Sequence, residues 1–305
     1  MLPNLLLTGA SGFIGSALLQ ALLHRNYPVL ALVRDPARLA SLPHTENLTI
    51  LTCDLENITA QHAQQIIAFK PQAVIHTAWM GTENTDRNRP EFVHANLRSC
   101  LRLLEIAASA GCRHWIGFGS QAEYSPAIAD KISETMPTFP DTAYGIAKLA
   151  TAHTLKALCG AQDIRFAWLR LFASYGKNYH TSYVIPYLIE CFRRKDIPLL
   201  KTPHAQWDYI HVDDVVCAAV AALEHPEAAG IFNLGNGIGY SIGDIAVCLA
   251  ELMAFADMEG LRRQIEAAHD LPACRIANIS HIRHSLGWQP QIDIREGLRR
   301  CIANS

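Results

Sequence analysis

The sequence predicts an α/β protein: a doubly wound parallel (Rossmann) sheet with a smaller, interleaved C-terminal substrate-binding region. Three observations predict it. Short apolar runs at Leu5 to Thr8, Val29 to Val33, Leu48 to Leu51, Ala73 to Thr77, Trp115 to Phe118 and Phe166 to Leu171 lack the polar alternation of a half-exposed strand. Between them, Ile14 to Leu23, Asn96 to Ala110 and Tyr144 to Leu158 carry apolar residues at helical spacing. Right-handed crossovers then build a parallel sheet covered on both faces. Finally, three glycines in "TGASGFIGS" break the chain directly after the first strand.

Residues 1–171 are expected to form the dinucleotide-binding domain and 172–305 the substrate-binding region, partly interleaved with it. Helical patterns return at Ile185 to Arg194, Val212 to Leu223 and Ile242 to Phe255, with a strand at Ile231 to Leu234.

The 305 residues, half of them hydrophobic, can bury a large core. A formal charge of −2 with dispersed Lys and Arg argues against a nucleic-acid partner. No uninterrupted apolar stretch suits a membrane span, and no N-terminal targeting pattern is visible. Nine cysteines without a Cys-x-x-Cys pair suit reduced thiols in the cytoplasm. The fourteen histidines form no ligand-spaced cluster, so no metal is expected.

Gly9, Gly12 and Gly15 fit G-x-x-G-x-x-G between strand and helix. Glycine there lets backbone N–H groups approach a pyrophosphate at the positive end of the helix, with Ser11, Phe13 and Ile14 in the same turn. The second strand ends in Val33, where an NAD site commonly places a carboxylate. Arg34 and Arg38 could instead fork a 2′-phosphate, which favours NADP, while Asp35 leaves NAD possible.

Tyr144 and Lys148 lie one helical turn apart, and an ammonium beside a phenol favours its ionised form. Ser120 follows an apolar run, at the C-terminal edge of a parallel strand where ligands gather.

With these residues in view, the chain resembles the extended short-chain dehydrogenase/reductases, in the NAD(P)-dependent epimerase/dehydratase group that modifies sugar nucleotides. The resemblance runs over nearly the whole chain: "TGASGFIG", "CDL", "HTAW", Asn96, "GSQAEY", "YGIAK", "LRLFASYG", "WDYIHVDD", "FNLGNG" and "LGWQP" occur in order. It implies that Tyr144 is the acid/base, that Lys148 lowers its proton affinity and holds the nicotinamide ribose, and that Ser120 hydrogen-bonds the reacting oxygen. Asp54 and Leu55 would meet the adenine, and Thr77 and Ala78 would lie along the cofactor. Asn96 is equally a buried helix-start hydrogen bond or a catalytic part. A homodimer through the two long helices is a further implication.

Related dehydratases place Asp-Glu where this chain has Gln121 and Ala122, which disfavours dehydration. Glu123 reads as an ordinary polar loop residue. The arginines usual for a sugar-nucleotide diphosphate are replaced by Trp207 and Ala267, with Arg275, Lys201, Lys177 or His180 left to compensate. Trp79, Gln121, Tyr183, Trp207 and Asp270 are the substrate candidates. The expected reaction is reduction of a nucleotide-linked 4-keto-6-deoxy sugar. A sugar-nucleotide epimerase with bound NAD, a reductase of an apolar ketone, and a non-catalytic NADP sensor are the alternatives, the last opposed by retention of Ser120, Tyr144 and Lys148.

Overall fold

Leu5 and Leu7 enter one buried cluster and Leu6 another, so the first strand is covered on both sides. The computed structural model describes residues 2–40, 45–83, 85–124, 131–177, 179, 183–270 and 273–303. Strand β1 (Leu5–Thr8) leads into α1 (Phe13–His24), followed by β2 (Val29–Val33), β3 (Leu48–Thr52), α2 (Ala60–Phe69), β4 (Ala73–His76), α3 (Pro90–Ser109), β5 (His114–Ser120), α4 (Ala143–Gly160) and β6 (Arg165–Leu171). The second half contributes β7 (Ala173–Tyr175), α5 (Val184–Arg193), β8 (Gln206–His211), α6 (Val212–Glu224), β9 (Gly230–Leu234), β10 (Gly239–Ser241), α7 (Ile242–Leu252), α8 (Met258–Glu266), β11 (Cys274–Arg275), α9 (Ser280–Leu286) and α10 (Ile294–Ala303).

The main sheet is Rossmann-like, in the order β3-β2-β1-β4-β5-β6-β9, and all its pairings are parallel. Helices α1 and α6 cover one face; α2, α3 and α4 cover the other. Each buried leucine in these layers contributes about 2 kcal/mol. From β1 the chain moves outward to β2 and β3, then returns to β4 on the opposite side. That reversal opens a crevice at the C-terminal ends of β1 and β4, where ligands of such sheets bind.

After Phe172 the chain divides its elements. Helix α6 and strand β9 return to the main sheet, while β7, β10 and β11 pair around β8 and pack with α5, α7, α8 and α10 in a separate core. Asp208 on β8 ties the two together, accepting backbone N–H groups from Asn236, Gly237 and Ala277.

Several boundaries differ from expectation. Helix α3 starts at Pro90, not near Asn96, because proline suits the first helical position, where its missing N–H costs nothing. Helix α7 stops at Leu252, ahead of Ala254 in the left-handed region. Strand β5 extends to Ser120 itself. Among the described residues no helix is long and apolar enough to cross a membrane, and no disulfide is formed. No cluster of three or more His, Cys, Asp or Glu suited to a metal ion occurs among them.

Candidate active site

A cavity of about 1050 Å³ runs from the β1 turn, past Tyr144, into the second lobe. Its first end is built by the glycine turn. Gly9 has φ +71°, and a Cβ on Gly15 would lie 2.0 Å from the Gly9 carbonyl oxygen, so neither position accepts a side chain without moving the turn. Gly12 caps α1 with no side-chain bond, and the first turn carries no acid. The helix N-terminus therefore remains open to an anion. This cradle fits a dinucleotide pyrophosphate.

All the residues expected to meet the cofactor line this cavity: Gly9, Ser11, Gly12, Phe13, Ile14, Gly15, Arg34, Asp54, Leu55, Thr77, Ala78, Tyr144 and Lys148. Val33 and Arg38 line it too. Asp35 does not; its carboxylate accepts the Ala37 N–H at 3.0 Å and caps the following turn. Asp54 likewise caps a turn, accepting the Glu56 N–H at 3.2 Å. Thr77 does more than pack, donating its hydroxyl to the Thr8 carbonyl at 2.8 Å and so clamping β4 to β1.

The reacting end assembles around α4. Thr142 accepts the Gly145 N–H at 3.1 Å and starts the helix, which sets Tyr144 in its first turn and Lys148 one turn on. Gly145 permits this approach, since a Cβ there would lie 2.2 Å from the Ala122 carbonyl oxygen. Tyr144 thereby comes beside Ser120 on β5, whose hydroxyl draws the phenol's pKa down. Burial pushes the phenol up to about 12, against the pull of the Ser120 hydrogen bond and the Arg87 guanidinium. Ser120 Oγ also accepts the Ala122 N–H at 3.1 Å.

Lys148 is buried on the same helix face and lines the same cavity as Tyr144. Its Nζ donates to the Phe118 carbonyl at 2.6 Å, lies 3.7 Å from the Trp79 ring centre and stands 6.0 Å from that of Tyr144. Burial, the Ser120 hydroxyl and the Arg87 guanidinium act on the phenol more strongly than Lys148 does. Burial lowers its ammonium to about 7. Between that value and the ordinary lysine value of 10.5 the unfolded chain binds a proton that the fold has released, so stability rises with pH across this window. Lys148→Met is expected to remove that rise and to stabilise the ligand-free protein near pH 7 by about 1–2 kcal/mol. Chemical denaturation across pH 6–10 (a range set about these values) checks it; a destabilised variant would refute it.

Glu123 is no polar loop residue. It is fully buried and bonded to Arg170 Nε at 2.7 Å, Trp168 Nε1 at 2.9 Å and the Ser120 N–H at 2.9 Å. Arg170 also donates to the Tyr124 hydroxyl at 2.8 Å, which donates to Asn233 at 2.7 Å. This network underlies Ser120 and links β5, β6 and β9. Asn96 is a buried structural bond, its carboxamide exchanging two 2.9 Å hydrogen bonds with the Met80 backbone.

Of the substrate candidates, Trp79, Gln121, Tyr183 and Trp207 line the cavity, as does Lys201. Asp270 does not; its carboxylate accepts the His204 N–H at 3.1 Å, a role in loop structure. His180 lies outside the described residues. Sequence reasoning missed Arg87 and Tyr179. Tyr179 stacks between Phe13 at 4.3 Å and Tyr183 at 4.0 Å, joining the glycine turn to α5. Neither residue lies in a periodic segment, so no local pattern singles it out.

The Rossmann sheet and its site define a nicotinamide-dinucleotide-dependent enzyme of the extended short-chain dehydrogenase/reductase type. Residues 5–235 match the NAD dependent epimerase/dehydratase family, and the chain belongs to that family. It is 27% identical over 311 residues to a UDP-glucose 4-epimerase of Corynebacterium glutamicum, covering 94% of this chain and 91% of the relative. It is 24% identical over 312 residues to a dTDP-4-dehydro-6-deoxyglucose reductase of Escherichia coli, covering 98% and 96%. The fold superposes with a TM-score of 0.82 on the UDP-glucose 4-epimerase of Thermus thermophilus in complex with NAD, at 23% identity over 99% of this chain and 98% of that one. The dinucleotide in that neighbour is NAD, where the arginines here led us to expect NADP.

Proposed function

We propose that this chain is an NADP-dependent reductase of a nucleotide-linked keto sugar, with a 4-keto-6-deoxy sugar as the substrate. The observation that carries the proposal is that Arg34 and Arg38 both line the cavity with Val33, while Asp35 takes a capping role. A 2′-phosphate finds two cations there, and the ribose finds no carboxylate from the end of β2. The similarity to a dTDP-4-dehydro-6-deoxyglucose reductase supports the substrate class.

The glycine turn and Lys148 would hold a reduced nicotinamide dinucleotide, which would supply the hydride. Tyr144 keeps its proton at neutral pH and gives it to the substrate carbonyl oxygen as charge develops there. The Ser120 hydroxyl, whose oxygen already accepts the Ala122 N–H, donates to the same oxygen. Gln121 and Ala122 move no proton, which argues against elimination of water. Lys148 would hold the nicotinamide ribose, and the aromatic lining of Trp79, Tyr183 and Trp207 would receive the sugar and base.

Arg34→Ala is expected to weaken NADPH binding by about 10–100-fold and leave NADH binding nearly unchanged, as loss of a charge-assisted hydrogen bond does. Fluorescence titration measures both affinities, and a screen of sugar nucleotides for NADPH oxidation identifies the substrate. A wild-type preference for NADH favours the second reading, a 4-epimerase that retains NAD, which the similarity to UDP-glucose 4-epimerases supports. We also propose a homodimer through α3 and α4, the latter exposing Ile146 and Leu158; a monomer in sedimentation would remove this proposal.

A further inference from the structure

Lys148 is 4% exposed, and among the described residues it joins no ion pair. The groups around it offer little charge. His76 on β4 is kept neutral, since burial drives it down to about 3; its ring nitrogens meet the Thr8 hydroxyl at 2.8 Å and the Cys100 thiol at 3.2 Å. Burial pushes that thiol, on α3, up to about 12, so it keeps its proton. Glu123, after β5, commits its carboxylate to Arg170 at 2.7 Å. Tyr144, on the same helix as the lysine, is protonated at neutral pH. The Phe118 carbonyl at 2.6 Å is the one hydrogen-bond acceptor of the ammonium among the described residues, although an ammonium has three N–H groups to place.

An aromatic ring faces the charge instead. Trp79 follows β4, and its ring centre is 3.7 Å from Lys148 Nζ, against 5.8 Å for Trp168 and 6.0 Å for Tyr144. At that separation the negative face of an indole attracts a cation, most strongly where water is excluded. The indole is itself held from two directions. It meets Tyr144 edge-on, with ring centres 6.3 Å apart and planes at 85°. The next residue, Met80, has both its N–H and its carbonyl bonded to the Asn96 carboxamide at 2.9 Å, so α3 fixes the backbone beside the ring.

We infer that Trp79 is a positioning residue for Lys148: its indole face, braced through Asn96, keeps the ammonium charged and in place at the crevice wall, where an ion pair would otherwise be needed. An uncharged partner suits a residue that must meet a ligand. A carboxylate would engage the ammonium in charge-assisted hydrogen bonds that a ligand must first break, whereas a ring face attracts the charge and leaves N–H groups to offer. The inference concerns two side chains of this chain, so it holds whether the substrate is a nucleotide sugar or another ketone.

Fluorescence of the ligand-free protein, titrated from about pH 5 to about pH 10, tests it. The emission that Trp79→Phe removes is expected to change with a midpoint near 7, where burial places the ammonium, and Lys148→Met is expected to abolish that midpoint. The indole favours the charged lysine, so its removal lowers the lysine value further. In chemical denaturation of Trp79→Leu, the pH at which stability begins to rise should therefore move down by about one unit, and in Trp79→Phe, whose ring holds a cation less strongly, by less. Should the leucine variant not fold, the phenylalanine variant and the Lys148→Met titration decide. A midpoint that survives in Lys148→Met overturns the inference, as does a stability rise that starts at the wild-type pH in the Trp79 variants, even if they are less stable by a constant amount. No ligand is added, so failure of every sugar nucleotide to be turned over leaves these outcomes unchanged.

Discussion

Tyr144→Phe is expected to slow turnover by about 10²–10⁴-fold, the range for loss of a positioned general acid. At this end of the crevice the phenol holds a proton at neutral pH and feels the Ser120 hydroxyl. Burial, the largest influence on it, favours the neutral form, which is the form that donates. Phenylalanine keeps the edge-on contact with Trp79, whose ring centre is 6.3 Å away, so folding and dinucleotide affinity should change little. Single-turnover oxidation of NADPH beside a binding titration separates the two effects. Near-wild-type turnover in this variant would transfer the acid role elsewhere.

Glu123→Ala is expected to cost about 3–5 kcal/mol of stability, because it strands the Arg170 charge in an interior that offers no water. Arg170 is 2% exposed and Glu123 0%, so neither charge can be screened. The same change frees the Ser120 N–H and the Trp168 indole N–H, two further donors left without acceptors. Glu123→Gln keeps the volume and an acceptor oxygen and should cost less. Urea denaturation gives the stabilities, and turnover measured well below the transition reports whether Ser120 has shifted. A loss under about 1 kcal/mol for the alanine variant would mean that water reaches Arg170 and that the network is not dry.

The reading of Glu123 shows where sequence reasoning stops. Its neighbours Ser120, Gln121 and Tyr124 made it look like part of a polar turn, and its partners Trp168 and Arg170 lie 45 and 47 residues away. Only the β5–β6 register, with Gly119 opposite Arg170, brings the carboxylate over them. Asp270 erred the other way: its motif resembles a substrate loop, but the fold turns the carboxylate to the His204 backbone. For Lys148, helical spacing put the ammonium near Tyr144, and the fold adds partners that spacing could not show: the Phe118 carbonyl at 2.6 Å and the Trp79 ring, with the Tyr144 ring centre 6.0 Å away.

By itself the sequence determined the alternating strands and helices, the glycine turn and the Tyr144–Lys148 spacing, because these are local: apolar periodicity, the lack of a Cβ and a one-turn repeat act within a few residues. Only the tertiary structure decided which charges are buried together, and that Asp35 leaves the cavity wall while Arg34 and Arg38 stay. Electrostatic energy depends on distance and burial in space, and chain order specifies neither until the sheet has closed.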